Sequence, residues 1–378
     1  MGLVLGQTLT MRLLILLLTL AVTVPAFAAD SEPPPETPAT PATDPEAVAP
    51  ADTEPAVVTT WTADKPVYEV RWALGEARPI HWVEPNPEKV KLGYEMTTVG
   101  RAVGPDGKLN KKQSRGFECT DCHNLAVEDP DLRHSDPTAR FTYAEANDLP
   151  FLMATTLYGI VDRESWFNDD YVKKYGDFVK PANEKLTEAL QLCSTECSQG
   201  RVLEDWELEV YLAYFWSIAL KWSNLPAEGI SLEAAELASR GSDEDKAEAL
   251  AAVKEKYLLK SPATFGEPPE KHGKDDPGYD EVGDPAMGRA IFGRSCLHCH
   301  ARGGPGRYRM SHSRYKARQL IRNMPKDNKW SFYESIRHGT EPWGRPSYYM
   351  PLFSMEKMTN QQIQDIRAYL EERTGRKK

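Results

Sequence analysis

Two short strings carry most of the chemistry available to this chain: Cys119-Thr-Asp-Cys122-His123 and Cys296-Leu-His-Cys299-His300. In each, two cysteines three positions apart are spaced to form thioethers to both vinyl groups of one porphyrin, and the adjoining histidine is placed to bind the iron from one face. A C-x-x-C pair also serves as a redox dithiol or as half a zinc site. A histidine directly after the pair, twice in one chain, selects covalent haem. Two haem c groups are therefore expected, attached at Cys119, Cys122, Cys296 and Cys299, with His123 and His300 as axial ligands. His298, inside the second motif, reads as a spacer side chain.

The second motif sits in a longer pattern. Gly283-Asp-Pro-Ala-Met-Gly-Arg-Ala-Ile-Phe-Gly-Arg-Ser-Cys296 precedes it, Tyr348-Tyr-Met350-Pro-Leu-Phe353 follows, and Met358-Thr-Asn-Gln-Gln-Ile-Gln-Asp-Ile-Arg-Ala-Tyr369-Leu370 closes the segment. Over its roughly 95 residues this closely resembles a class I cytochrome c: an N-terminal helix leading into the haem site, a distal methionine loop and a closing helix capped by Thr359. The resemblance implies Met350 as sixth ligand, because neither Met355 nor Met358 has the proline that follows the family's ligand. Methionine opposite histidine favours reduced iron and suits a group that accepts and passes electrons.

The sixth ligand at the first motif is open between Met153, His134, Cys193 and Cys197. Ala213-Tyr214-Phe215 takes the place of Ala368-Tyr369-Leu370, and Met350 lies 19 residues before Tyr369; the same step back from Tyr214 reaches Thr195, between Cys193 and Cys197. A cysteine thiolate there would lower the iron's potential. Alternatively the two cysteines, four apart, form a disulfide and leave Met153 or His134 as ligand. The string Cys193-Ser-Thr-Glu-Cys197-Ser-Gln-Gly-Arg201, with the aromatic helix after it, resembles the N-terminal haem domain of dihaem thiosulfate dehydrogenases and their sulfur-oxidation relatives. That resemblance implies a catalytic cysteine-ligated first haem and a methionine-ligated second haem that exports electrons.

The elements that must position these groups are expected to be mainly α-helical. Leu203 to Ala219, Lys316 to Met324 and Asn360 to Arg373 have helical spacing of apolar residues, and few stretches alternate like strands. A chain of 378 residues exceeds one domain. The expected organisation is a signal peptide over 1–28, a Pro-, Ala- and acid-rich disordered spacer over 29–60, a first cytochrome c-like haem domain over 61–224, a helical connector and linker over 225–283, and a class I cytochrome c domain over 284–378. Within the connector, Gly241 separates two short helices, Ser242 caps the second, and 261–283 reads as an exposed linker. Trp206, Tyr211, Tyr214, Phe215, Trp216 and Trp222 make a dense aromatic run, expected chiefly to pack a core.

Arg12, the apolar run Leu13 to Val24 and Ala26-Phe27-Ala28 form an export-signal pattern, so the periplasm is the expected compartment, with an uncleaved anchor as the lesser alternative. No later segment is apolar enough to span a membrane, and nothing points to nucleic acid. From Asp284 onward there are 19 Lys and Arg against 8 Asp and Glu, whereas residues 61–283 carry a net −15. The run Arg302, Arg307, Arg309, Arg314, Lys316, Arg318 and Arg322 would suit docking to an acidic redox partner. Three roles follow: a periplasmic carrier passing single electrons between redox proteins, an enzyme oxidising a reduced sulfur compound such as thiosulfate at the first haem, or a subunit of a larger respiratory complex.

Overall fold

A computed structural model describes residues 60–260, 262–325, 331–340 and 349–375. The expected export signal and all but the last residue of the acidic spacer lie outside the described residues. The described residues all belong to one compact unit. As expected, the fold is mainly α; the described residues hold three isolated β-bridges and no longer strand. None of their helices is long and apolar enough to cross a membrane.

The first half contains α1 (Val67–Ala73), α2 (Pro87–Val99), α3 (Pro137–Ala146), α4 (Asp169–Tyr175), α5 (Lys180–Glu184), α6 (Leu186–Leu192) and α7 (Asp205–Ser217). Helices α8 (Leu232–Ala238) and α9 (Asp243–Lys254) follow, the latter opened by a Ser242–Asp245 capping box. The C-terminal part holds α10 (Pro285–Ile291), α11 (Leu297–His300), α12 (Arg314–Arg322), α13 (Phe332–Arg337) and α14 (Asn360–Thr374). Helix α14 starts at Thr359, whose hydroxyl accepts from the Gln362 N–H while the Gln362 side chain accepts from the Thr359 N–H.

Two helix crossings repeat the same construction. A Cβ placed on Gly93 of α2 would stand 1.9 Å from the Val210 carbonyl oxygen of α7, and one on Gly288 of α10 would stand 1.9 Å from the Asp365 carbonyl oxygen of α14. Only glycine permits backbones this close. Val210 lies four residues before Tyr214 and Asp365 four before Tyr369, so the crossings give the same register as the sequence comparison of the two closing helices. Gly288→Ala is expected to lower stability by roughly 3 kcal/mol or more, because backbone rather than a flexible side chain must yield; thermal unfolding followed by circular dichroism reads this, and an unchanged midpoint would contradict the crossing.

The halves share a core. Phe141 of α3 and Phe151 are buried with Ile291, Phe292, Tyr333, Ile363 and Ile366 of the C-terminal part. Segment 262–283 differs from the exposed linker its composition suggests. Ala263 and His272 are buried, Phe265 stacks edge-on against Tyr171, and Tyr279 packs on Tyr333. Long side chains from the helices supply the polar partners that a strand or helix would otherwise give it. The Gln364 amide donates to the Pro277 carbonyl, and the Arg367 guanidinium donates to the Asp276 carbonyl.

Candidate functional site

The two C-x-x-C-H strings fold differently at their start and alike at their end. Cys119 opens a 3₁₀ turn, Cys119–Asp121, held by a reciprocal Glu118–Asp121 cap. Cys296 ends a π-helical turn, Phe292–Cys296, that runs on from α10 into α11. In both, the histidine is fixed by its second ring nitrogen. His123 Nδ1 lies 2.6 Å from the Thr155 carbonyl oxygen and His300 Nδ1 2.7 Å from that of Tyr308. A carbonyl can only accept, so Nδ1 carries the proton and Nε2 keeps the lone pair that binds a metal. Burial lowers the His300 pKa, which favours the neutral, ligating form.

Cys296, Cys299, His300 and Met350 line one cavity of 430 Å³, walled mainly by apolar side chains including Phe292, Leu320, Phe332, Ile336 and Phe353. The loop bearing Met350 is anchored at its backbone: the Met350 N–H donates to Thr340 Oγ1 at 2.7 Å, and the Thr340 N–H to the Met350 carbonyl at 2.9 Å. Three other methionines reach this cavity, Met153, Met310 and Met358, whereas Met355 does not line it. The Met310 N–H is bonded to the His300 carbonyl, which keeps it near the histidine's wall, and Met358 is 1 % exposed in the core. Paired thiols, an oriented imidazole, a thioether sulfur and an apolar wall form a donor set that fits a covalently attached haem.

Cys119, Cys122, His123, Met153, Cys193 and Cys197 line a second, smaller cavity of 180 Å³. His134 is not among its walls; it lines a separate pocket with Glu128 and Asp129. Cys193–Cys197 is a π-helical turn at the end of α6, and both cysteines are free thiols. The Cys197 thiol hydrogen-bonds Cys193 and draws the Cys193 pKa well down; desolvation opposes this, and His123, also hydrogen-bonded to Cys193, adds to the lowering. The same shared proton drives Cys197 well up. Thus Cys193 is the sulfur that meets the histidine across this cavity, and Cys197 is its hydrogen-bond partner. Met153 lines both cavities.

The aromatic run of α7 is divided between the core, as expected, and the cavity wall. Phe215 lines the smaller cavity, and Tyr211 Oη lies 4.0 Å from Cys119 Sγ. Trp216 instead packs among Tyr68, Trp72 and Trp82 in the core. In the basic run, the Arg309 guanidinium donates to the Ala301 and Gly304 carbonyls and that of Arg314 to Thr374, so these arginines brace the C-terminal fold. Arg307 lines the Met350 cavity.

Three features escape pattern reading. Tyr349, beside Met350, lines both cavities and hydrogen-bonds Cys197. His298 touches the first motif, with Nε2 at 3.3 Å from the Thr120 carbonyl. Glu128 is buried between Arg140 and Lys357 at 3.2 and 3.0 Å, joining the two halves. Burial alone pushes the Glu128 carboxyl up, but the Lys357 ammonium, the Arg140 guanidinium and the Asn124 amide outweigh it and hold it well below the usual carboxylate range.

Residues 283–370 match the family described as cytochrome c oxidase, cbb3-type, subunit III. The C-terminal segment is thus a cytochrome c domain, which carries covalently bound haem c and a haem-based electron-transfer role. No curated protein and no solved structure matches the chain.

Proposed function

We propose that the chain is a periplasmic dihaem c-type cytochrome that passes single electrons between redox partners, with haem held at His123 and Cys193 in the first half and at His300 and Met350 in the second. The observation that carries this reading is the repeated construction. The two glycine crossings set Val210 against Asp365, and in that register Thr195 falls at the place of Met350, inside the turn whose Cys193 sulfur meets His123. A bound haem supplies a one-electron iron couple. The chain's own residues fix it by two thioethers, orient each imidazole through its Nδ1–H, and exclude water with an apolar wall.

The test is the haem content of the exported protein, by pyridine haemochrome absorbance against protein concentration and by intact mass. Two haems per chain are expected, on a polypeptide cleaved after Ala28; one haem would overturn the dihaem reading. Met350→His should lower the potential of the second haem by on the order of 0.2 V, a fraction of the ~0.8 V that axial ligands span, and leave the first unchanged. A redox titration in which neither haem moves would remove Met350 from the iron.

A second reading, an enzyme oxidising a reduced sulfur compound such as thiosulfate at the first haem, draws support from the free Cys193–Cys197 pair opposite His123 and from Arg163 on the same cavity wall. It requires haem reduction that depends on the sulfur compound and is lost in Cys193→Ala; anaerobic mixing without colour change removes it. The family match of the C-terminal domain and its excess of Arg and Lys favour an acidic redox protein as partner, within a respiratory complex or delivering electrons to one.

A further inference from the structure

The two haem-attachment turns touch each other. His298, the spacer residue of the second motif, donates from Nε2 to the carbonyl of Thr120, the spacer residue of the first, at 3.3 Å. One residue further along each string, Cys299 Sγ lies 3.6 Å from the Asp121 carbonyl oxygen, and Asp121 is bonded directly to Cys122. The two cavities also have walls in common: Phe117, Cys122, Met153, Tyr349 and Pro351 line both.

We infer that this contact is the route for electrons between the two haems, and that His298 is the positioning residue that holds it closed. The inference rests on the dihaem reading. In the free chain the Cys299 thiol stands for the thioether sulfur of the loaded protein, which keeps the contact with the Asp121 carbonyl but no longer donates a proton. A path then runs from the Cys122 thioether through the Cys122–Asp121 peptide to the Cys299 thioether, with a single gap outside covalent bonds. With both haems bound, the transfer would oxidise one centre by one electron and reduce the other by one, with no bond made or broken and no proton displaced. His298 touches neither reacting centre. Its N–H holds the Thr120 carbonyl, and with it the neighbouring Asp121 peptide, against the second motif. A donor at this position is the requirement, which leucine or alanine cannot meet and glutamine can.

The experiment uses the purified holoprotein and its His298→Ala and His298→Gln variants, after haem counting by pyridine haemochrome. Circular dichroism in the Soret region reads the mutual placement of the porphyrins, and redistribution of a single electron after flash reduction reads the transfer rate. The wild type is expected to show a bisignate Soret couplet and a redistribution rate independent of protein concentration. His298→Ala should weaken the couplet and slow redistribution severalfold, with recovery in His298→Gln. Two haems without a couplet in the wild type, or His298→Ala indistinguishable from it in both measurements, would overturn the bridge and leave the dihaem reading standing. Fewer than two haems per chain would overturn both.

Discussion

Cys193→Met is expected to raise the reduction potential of the first haem by on the order of 0.2 V and to leave the second within experimental error, since axial-ligand identity alone moves haem potentials over ~0.8 V. The sign follows from the donor. A thiolate places negative charge on the iron and stabilises the ferric state, whereas a neutral thioether favours the ferrous state. Cys193 rather than Cys197 is the residue to change, because Cys193 is the sulfur hydrogen-bonded to His123, whereas Cys197 is bonded to Cys193. Cys197→Ser keeps a donor beside Cys193 and should change the potential far less. Equal effects of the two substitutions, or none from Cys193→Met, would remove the cysteine from the iron. A redox titration followed in the Soret band makes the comparison directly.

The second large effect is on stability. Glu128→Gln should destabilise the protein by about 3–5 kcal/mol, the usual cost of leaving buried charge without its partner. Here two cations lose their counter-ion at once: Arg140 is fully buried, and Lys357 is 3 % exposed. The pH dependence has a fixed sign. The carboxyl of Glu128 is held below its value in the unfolded chain, so its contribution is fully present above about pH 4.3 and is lost as pH falls below that toward the folded-state value. Wild type and variant should therefore differ most at neutral pH and converge in acid. Denaturant unfolding at pH 7 and at pH 3 measures this; a difference that stays constant between the two would contradict the ion cluster. Because Glu128 and Arg140 come from the first half and Lys357 from the C-terminal domain, the same variant should loosen the join between them.

What the sequence shows of this molecule is what repeats or is local. The C-x-x-C-H strings are legible because the chemistry needs five adjacent residues. Helices α9 and α14 are legible because Ser242 and Thr359 cap them from three residues away. The place of Cys193 and Cys197 was within reach because two closing helices carry the same aromatic position, and the glycine crossings give that register independently. The contacts that organise the site across the molecule leave no such trace. Glu128 and Lys357 are 229 residues apart, His298 and Thr120 are 178 apart, and each is one polar residue among many. Segment 262–283 misleads for a related reason: proline, glycine and charge describe its lack of regular structure, but not the Arg367 and Gln364 side chains that bind its carbonyls. Tyr349 carries no sequence signal of its own, because in this loop only the methionine followed by proline forms a pattern.

The most direct test of the account is low-temperature EPR of the oxidised holoprotein, wild type against Cys193→Met. The account predicts two low-spin ferric haems per chain in the wild type, one of thiolate–histidine type and one of methionine–histidine type. In the variant the thiolate signal should be replaced by a second methionine–histidine signal. A wild-type spectrum without a thiolate-type haem, unchanged by the substitution, would contradict it and place another ligand opposite His123.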